Sequence, residues 1–279
     1  MENKKEVVIT ASNKWLDFDL KETLEYKDLI VNFVTRNFKI AYKQTILGPV
    51  WLVLNPLVTS IIFTFIFGQF AGLSTDGVPQ FLFYMAGNTL WNLCSTNTTN
   101  NSNIFGANAA VYGKIYFPRL TVPISQTISS VINFLIQFVA LILIFGIYAL
   151  KGDVAFSARM LLAPVFILHT AILSLAIGLV SSALCAKYRD FVYVLPLAVQ
   201  LWMYVTPVVY TMDTTNGLMY KLLTINPMTP VMNNFKWAFL GSGHFMLESW
   251  IFSIVLTLVI AFIGLVLFSK VEKTFIDTV

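Results

Sequence analysis

The stretch that decides the fold is AYKQTILGPVWLVLNPL, residues 41–57, because it joins two segments of opposite character. The segment before it, residues 25–43, is rich in charged residues and places Leu29, Phe33 and Ile40 at helical spacing. From Gln44 to Thr75 the chain then has no Lys, Arg, Asp or Glu. This pattern predicts an amphipathic interface helix over residues 25–45 that leads directly into a membrane-spanning helix.

The composition of the whole chain is that of a membrane protein. Of its 279 residues, 57% are hydrophobic and 11% are charged, whereas a soluble domain carries roughly 25% charged residues. Six uncharged windows can each hold the roughly 20 apolar residues that a spanning helix needs. They are residues 44–75, 77–113, 120–150, 160–186, 191–212 and 249–269. We therefore expect an all-α membrane protein with six transmembrane helices.

The seventh uncharged window, residues 222–235, is too short to cross a bilayer and contains Pro227 and Pro230. We interpret it as a re-entrant external segment between spans five and six, where protein or water covers the broken backbone. Six spans place both termini on one side, and fourteen of the 18 Lys and Arg residues lie on that side. The positive-inside rule then predicts cytoplasmic termini. The expected divisions are a cytoplasmic tail (1–24), the interface helix (25–45), the six-span domain (46–270) and a second cytoplasmic tail (271–279).

Several function classes find no support in the sequence. No G-x-x-x-x-G-K-[ST] motif occurs, so the chain has no phosphate-binding loop of its own. No Asp, Glu, Lys or Arg lies at the centre of a predicted span, where ion-coupled carriers usually place one. The two histidines, His169 and His244, are far apart, so we expect no metal site. His169 lies in mid-span and is interpreted either as a functional group or as a neutral hydrogen-bonding link between helices.

Polar and aromatic residues form stripes at helical spacing inside the predicted spans. The third span carries Gln126, Ser130, Asn133 and Gln137 in this way. Aromatic faces and neutral hydrogen-bonding groups suit a sugar chain, which presents CH faces and hydroxyls. The alternative is that the polar residues join helices and the aromatic residues face lipid. The candidates for lining a channel are Trp51, Phe63, Phe67, Tyr84, Trp91, Tyr193, Gln200 and Tyr204.

Four blocks of sequence carry a resemblance to a known family. They are Tyr42-Lys43-Gln44-Thr45 with Leu47-Gly48, Trp51 and Pro56; Phe117-Pro118-Arg119 with Pro123; Tyr188-Arg189-Asp190 followed by Thr206-Pro207-Val208-Val209-Tyr210; and Asn226-Pro227-Met228. In their residues and in their order along the chain, these blocks resemble those of the type-2 ATP-binding-cassette (ABC-2) permeases that export polysaccharides. The resemblance runs from about residue 25 to the end. Two features depart from the family's pattern, namely Lys43-Gln44-Thr45 and the Asn-rich run at residues 95–103.

The resemblance implies a homodimer of six-span subunits in the bacterial inner (cytoplasmic) membrane, bound to two copies of an ABC ATPase subunit. The chain itself would bind no cofactor and no nucleic acid, since ATP and Mg would be held by the ATPase. The substrate would be a lipid-linked polysaccharide, with O-antigen as the leading expectation, exported through a channel formed by the dimer.

The resemblance also implies residues that couple the channel to the ATPase. These candidates are Arg36, Lys43, Gln44, Gly113, Lys114, Arg119, Arg189 and Asp190. We expect Arg189 and Asp190 to form an ion pair. For Lys114 and Arg119 the alternative is ordinary positive-inside anchoring.

Other functions fit part of the pattern. Within transport, the alternatives are a teichoic-acid or capsule exporter and an ABC-2 exporter of drugs or lipids. A membrane-embedded glycosyl- or acyltransferase would need an acid, base or metal site near the membrane surface. The external acidic residues form no cluster; they are Asp76, Asp153, Asp213 and Glu248. A passive scaffold is also compatible with the composition.

Overall fold

The structure of the chain, a computed structural model, describes residues 20–43, 45–112, 117–212 and 217–275. The regular secondary structure within these ranges is helical. The helices are α1 (Leu20–Glu25), α2 (Lys27–Tyr42), α3 (Val50–Phe63), α4 (Gln80–Ser102), α5 (Ile104–Tyr112), α6 (Thr121–Lys151), α7 (Ala163–Lys187), α8 (Phe191–Tyr204), α9 (Gly217–Ile225), α10 (Met228–Leu240) and α11 (Leu247–Phe275). A π-helical segment, Thr64–Phe70, continues α3, and a 3₁₀ turn, Ala158–Leu162, precedes α7.

Four helical segments are long and apolar enough to cross a bilayer. They are Val50–Phe70, Thr121–Lys151, Ala158–Lys187 and Leu247–Glu272. They correspond to the first, third, fourth and sixth windows of the sequence. The chain is therefore a multi-pass helical membrane protein.

Helix α4 occupies the second window, and its composition differs from that of a lipid-facing helix. It has 23 residues, but its C-terminal part reads CSTNTTNNS. The helix is buried on most of its surface, because it packs against α3, α6, α7, α8 and α10. Its polar side chains therefore meet other helices instead of lipid. Helix α4 is the central helix of the subunit.

Helix α8, in the fifth window, is shorter than the sequence predicts. It has 14 residues, which makes it about 21 Å long at the rise of an α-helix, whereas the hydrocarbon core is roughly 30 Å thick. The chain leaves the helix at Val205 and turns through Thr206–Tyr210. Pro207 explains the stop, since it lacks an N–H group and disfavours helical backbone in the preceding residue. The apolar window 191–212 thus overestimated the length of this helix.

The window 222–235 contains a helix break that Asn226 stabilises. Helix α9 ends at Ile225 and α10 begins at Met228. Asn226 Nδ2 donates hydrogen bonds to the carbonyl oxygen of Val205 (2.7 Å) and to Thr206 Oγ1 (2.9 Å). Its Oδ1 accepts from the Met228 N–H and from Trp202 Nε1, both at 3.0 Å. One amide side chain therefore joins the end of α8 to the start of α10.

Helix α2 lies within the range predicted for the interface helix and packs along α6. Ile30 and Phe33 form its buried face. Gly48, with φ +50°, adopts a left-handed conformation that favours glycine. Pro49 follows it and immediately precedes α3. The turn between the surface helix and the first span therefore depends on the Gly48-Pro49 pair.

Candidate functional site

The polar stripe of α6 lies where α2, α4 and α6 meet. Gln126 Oε1 accepts a hydrogen bond from Asn37 Nδ2 at 3.1 Å, and Gln137 Oε1 accepts one from Asn92 Nδ2 at 3.2 Å. Between them, Asn133 Oδ1 accepts a 3.1 Å hydrogen bond from the hydroxyl of Tyr42. Burial raises the pKa of that hydroxyl, which is a donor at neutral pH even at the ordinary pKa of tyrosine, about 10. The stripe thus joins three helices, and it also lines two cavities.

The first cavity, which we call the amide pocket, has a volume of about 200 Å³ and lies between α2, α3, α4 and α6. Its residues are Tyr42, Trp51, Leu52, Asn55, Asn92, Leu93, Thr96, Ser130, Asn133, Phe134 and Gln137. None of these residues carries a charge. Thr96 Oγ1 donates to Asn92 Oδ1 at 3.1 Å, which together with the bond to Gln137 fixes the orientation of the Asn92 amide.

The second cavity, the polar cleft, has a volume of about 590 Å³ and lies between α2, the end of α4, α5 and the start of α6. It is lined by Arg36, Asn37, Ile40, Ala41, Thr99, Asn100, Ser102, Asn103, Ile104, Ala107, Asn108, Val122, Gln126 and Val192. Arg36 is the charged member of this set. One of its NH₂ groups donates a hydrogen bond to Asn108 Oδ1 at 2.9 Å. Its guanidinium carbon lies 4.6 Å from the centre of the Phe33 ring. The cleft is therefore a largely neutral polar space with a single fixed positive charge.

The Asn-rich run divides between the subunit interior and the cleft. Asn97 Nδ2 donates to Ser174 Oγ of α7 at 2.8 Å, and Asn101 Nδ2 donates to Asn97 Oδ1 at 2.7 Å. Asn100 and Asn103, by contrast, line the polar cleft. This run therefore supplies both a link between α4 and α7 and neutral amides to the cleft.

Arg119 is directed towards the subunit's own last helix. Its side chain is 7% exposed, donates to the backbone carbonyl of Glu272 and has Nε 3.8 Å from the Glu272 carboxylate. Its guanidinium carbon also lies 5.3 Å from the centre of the Tyr112 ring. Nearby, Phe105 of α5 packs on Phe268 of α11 with ring centroids 4.9 Å apart. Arg119, expected to contact an ATPase, instead ties the segment before α6 to α11.

The other coupling candidates are at the surface or outside the described part of the chain. Lys43, Arg189 and Asp190 are exposed. The ion pair predicted between Arg189 and Asp190 is absent from the described residues, because adjacent side chains at the start of α8 point in different directions. Gln44, Gly113 and Lys114 lie outside the described residues.

The channel candidates fall into three groups: buried, half-buried and exposed. Tyr84 and Trp91 were expected to line a channel but lie in the core, where Trp91 packs on Trp202 at 5.4 Å. The reason is the central position of α4, which helices cover on all sides. Phe63 and Phe67 are half-buried and pack on each other. The exposed candidates lie on α3 and α8; they are Trp51 (55% exposed), Tyr193 (82%), Gln200 and Tyr204.

His169 links α7 to α11 through both ring nitrogens. Its Nδ1 accepts a 3.0 Å hydrogen bond from Trp250 Nε1, and its Nε2 lies 3.0 Å from Thr257 Oγ1. An acceptor Nδ1 leaves the ring proton of a neutral imidazole on Nε2, so that nitrogen donates to Thr257. Of the two interpretations of this histidine, the structure favours the hydrogen-bonding link between helices.

The sequence patterns missed three polar residues of the amide pocket, Asn55, Asn92 and Thr96, which lie outside the stripes. Their convergence with the α6 stripe depends on how three helices pack, and helical spacing along one segment carries no such information. A signal was available in principle, since an amide this close to the start of an apolar span needs a polar neighbour.

Known proteins resemble this chain over most of its length. Residues 29–240 match the family described as ABC-2 type transporter. An O-antigen export system permease protein RfbA of Klebsiella pneumoniae is 25% identical over 267 residues, which cover 94% of this chain and 99% of that protein. A protein of the same name from Myxococcus xanthus is 24% identical over 220 residues, 78% of this chain and 82% of the relative. The family match includes every residue that lines the two cavities.

Proposed function

Since this chain belongs to the ABC-2 type transporter family, we propose that it is the membrane subunit of an ATP-driven exporter of a lipid-linked polysaccharide, with O-antigen as the first candidate. It would act in the bacterial inner membrane. The observation that carries the proposal is the character of the two cavities, which are polar and together contain a single charged residue, Arg36.

Neutral polar cavities match the chemistry of a sugar chain. A hydroxylated polymer does not cross hydrocarbon unaided, because each unpaired hydroxyl that leaves water costs free energy. Amide and hydroxyl groups replace the hydrogen bonds to water, and few fixed charges are present to hold the moving chain. The relatives named as O-antigen export permeases, which align with 94% and 78% of the chain, support the same class of substrate.

A homodimer would form the channel from the exposed faces of α3 and α8. On α8 a single side chain, Val199, is buried within the subunit, and Tyr193 and Gln200 are exposed. A helix of 14 residues that bears a glutamine on its exposed side is poorly suited to face lipid alone. A second subunit would cover it and enclose an aromatic and polar path. In the proposed arrangement of six spans with cytoplasmic termini, α4 is the second span and α8 is the fifth. The turns at residues 205–210 would extend the fifth span across the rest of the bilayer, where α9 and α10 cover them.

Two ATPase subunits would bind the cytoplasmic side of the dimer and hold ATP and Mg. Exposed Lys43, Arg189 and Asp190 lie on the face predicted to be cytoplasmic. The sequence predicts the same side for Gln44, Gly113 and Lys114, which lie outside the described residues. Arg36 borders the polar cleft, and Arg119 holds the preceding loop against α11. We therefore assign the exposed residues to ATPase contact and Arg119 to positioning of the loop.

The test is ATP-dependent export by the purified complex. The chain and the ATPase that purifies with it are reconstituted into vesicles, and the glycolipid reaching the opposite leaflet is identified by mass spectrometry. We expect glycolipid translocation that stops when the ATPase nucleotide site is inactivated. Finding teichoic acid or capsule precursors as cargo would redirect the substrate assignment. ATP-dependent movement of drugs or phospholipids without any glycan would refute the proposal.

A further inference from the structure

The amide pocket contains hydrogen-bonding groups that the protein itself does not pair. Asn133 uses its oxygen for Tyr42, and Gln137 uses its oxygen for Asn92. Neither NH₂ group, Asn133 Nδ2 or Gln137 Nε2, has a partner among the described residues, and the same holds for the side-chain amide of Asn55. Free donors and acceptors therefore meet around one small space.

Ser130 gives a second and independent indication of a ligand. Its side chain is 3% exposed and lines the pocket, yet its Oγ has no hydrogen-bond partner within the described part of the chain. Neighbouring serines differ, since Ser125 and Ser129 of α6 donate to backbone carbonyls at 2.7 and 2.8 Å. Buried hydroxyls in proteins are almost always paired. Ser130 therefore brings an unpaired hydroxyl to the wall of the pocket.

The chemistry of the walls selects a neutral, hydroxylated ligand. The pocket has no Lys or Arg, which are the usual partners of phosphate. It has the indole of Trp51 and the rings of Tyr42 and Phe134, which offer apolar surface to CH groups. At roughly 30 Å³ per water, its volume of about 200 Å³ corresponds to about seven water molecules, and one pyranose ring with its hydroxyls replaces a cluster of that size.

The pocket is also placed where a moving glycan would reach it. The α6 stripe begins at Gln126, which lines the polar cleft, and continues through Ser130, Asn133 and Gln137 in the amide pocket. At the other end, Trp51 and Asn55 are exposed on the face of α3. The two cavities therefore lie along one row of neutral side chains that leads from the cleft to the exposed face of the first span.

We propose that the amide pocket of each subunit binds one neutral sugar ring of the exported glycan. Asn133 and Gln137 donate to its hydroxyls, Ser130 and Asn55 complete the hydrogen bonds, and Trp51 covers one face. This inference rests on the proposed function, because it assigns a sugar-binding site to a polysaccharide exporter. It adds a position at which the glycan is held inside a subunit.

The experiment measures protection of a thiol in the pocket. Cys94 and Cys185, the two cysteines of the chain, are replaced by Ala, and Ser130→Cys is introduced. The protein, with its ATPase, is placed in nanodiscs of phosphatidylethanolamine and phosphatidylglycerol, and its rate of reaction with N-ethylmaleimide is followed by mass spectrometry. The probes are methyl glycosides of glucose, galactose, mannose and rhamnose, N-acetylglucosamine, and glycerophosphocholine as a lipid headgroup. Ser95→Cys, one turn from Asn92 and outside the pocket lining, is the position control.

We expect at least one sugar to slow labelling of Ser130→Cys, by about tenfold at ten times its Kd, without slowing labelling of Ser95→Cys. Glycerophosphocholine leaves both rates unchanged. The proposal is overturned if no sugar protects, if Ser95→Cys is protected equally, or if glycerophosphocholine protects instead. Normal glycan export without any protection overturns the pocket and leaves the proposed function intact. Protection by a sugar in a complex that exports no glycan supports the pocket and contradicts the proposed function.

Asn133→Leu then tests the assigned hydrogen bonds. Loss of one donor to the sugar should weaken protection about tenfold, whereas Asn32→Leu, the same change at an exposed site of α2, leaves it unchanged. If the Asn133→Leu protein does not assemble, Gln137→Leu is tested in its place and should weaken protection to the same extent. Undiminished protection in an assembled variant refutes the assignment of these amides.

Discussion

Nζ of Lys236 lies 2.7 Å from the backbone carbonyl oxygen of Val208, to which it donates a hydrogen bond. A second bond of 2.7 Å goes to the carbonyl of Pro207, and Nζ is 3.7 Å from the centre of the Phe83 ring. These carbonyls belong to the turns that follow α8, where Pro207 has interrupted the regular helical hydrogen bonds. Lys236 is 3% exposed. It acts as a clamp between α10 and the end of α8.

Replacing Lys236 with Met should destabilise the subunit, because it leaves two buried carbonyls unpaired. Each unpaired group costs about 1–3 kcal/mol, so we expect a clear fall in the thermal unfolding midpoint of the purified protein in nanodiscs. Lys221→Met makes the same substitution at an exposed position of α9 and serves as the control. Equal midpoints for the two variants would show that the clamp contributes nothing to stability.

Gly87 makes the same junction sensitive to a single methyl group. A Cβ at this position would lie 2.6 Å from the Val208 carbonyl oxygen and 3.1 Å from Cε of Lys236. Overpacking of this kind typically costs about 1–3 kcal/mol, so Gly87→Ala should lower the unfolding midpoint. Gly146 lies in α6 with no atom near its Cβ position, and Gly146→Ala should be neutral or stabilising because alanine favours the helix. The unfolding midpoints of both variants are measured side by side. A lower midpoint for Gly87→Ala alone shows that the junction cannot accommodate a methyl group, and equal midpoints show that it can.

His169 should act on stability and not on the energy source of transport. His169→Leu leaves Trp250 Nε1 and Thr257 Oγ1 without their ring partner, which costs about 1–3 kcal/mol for each buried group. We expect a lower unfolding midpoint but continued ATP-driven export at the remaining folded fraction. His244→Leu, outside the spans, is the comparison. Loss of export per folded molecule in His169→Leu alone would instead identify a transport role for the imidazole.

Much of the helical layout could be predicted from the sequence, because lipid imposes a composition on any segment that it surrounds. Four of the six uncharged windows contain the four long apolar helices, and the family expected from four sequence blocks is confirmed. Composition did not predict the surroundings of a side chain correctly where a helix is enclosed by other helices and not by lipid. Tyr84 and Trp91 form an aromatic stripe in the sequence, yet they are buried because α4 is central. The window at 191–212 remains apolar beyond Tyr204, so hydropathy alone gave no sign that Pro207 ends the helix.

The candidate site shows the same limit of prediction from sequence even more clearly. Gln126, Ser130, Asn133 and Gln137 were recognised as a stripe because they belong to one helix with one periodicity. The amide pocket also needs Asn55 of α3, together with residues of α2 and α4. Which faces of different helices meet depends on tertiary packing, and a single sequence does not encode that in any local spacing. The structure adds the partners that turn a stripe into a cavity.

Arg119 should connect the loop before α6 to α11 chiefly through the backbone of Glu272. Its guanidinium donates to the Glu272 carbonyl, whereas its Nε is 3.8 Å from the carboxylate. Arg119→Ala should therefore raise the cleavage rate of this region by a protease and reduce the export obtained per ATP hydrolysed. Glu272→Ala keeps the carbonyl and should have the smaller effect, since partly exposed ion pairs contribute about 0–1 kcal/mol. A larger effect of Glu272→Ala would assign the connection to the carboxylate.

Arg189 provides the sharpest test of ATPase contact, because it is exposed at the start of α8 and has no salt bridge among the described residues. If the ATPase binds this face, Arg189→Glu should weaken the complex about tenfold or more, since reversal of a contact charge replaces attraction with repulsion. Pull-down of the ATPase at several salt concentrations measures the change, and the defect should diminish at high salt. Lys151→Glu, at the end of α6 on the side predicted to be external, makes the same charge reversal and should leave ATPase binding unchanged. If Lys151→Glu weakens the complex and Arg189→Glu does not, the predicted orientation of the subunit in the membrane is reversed.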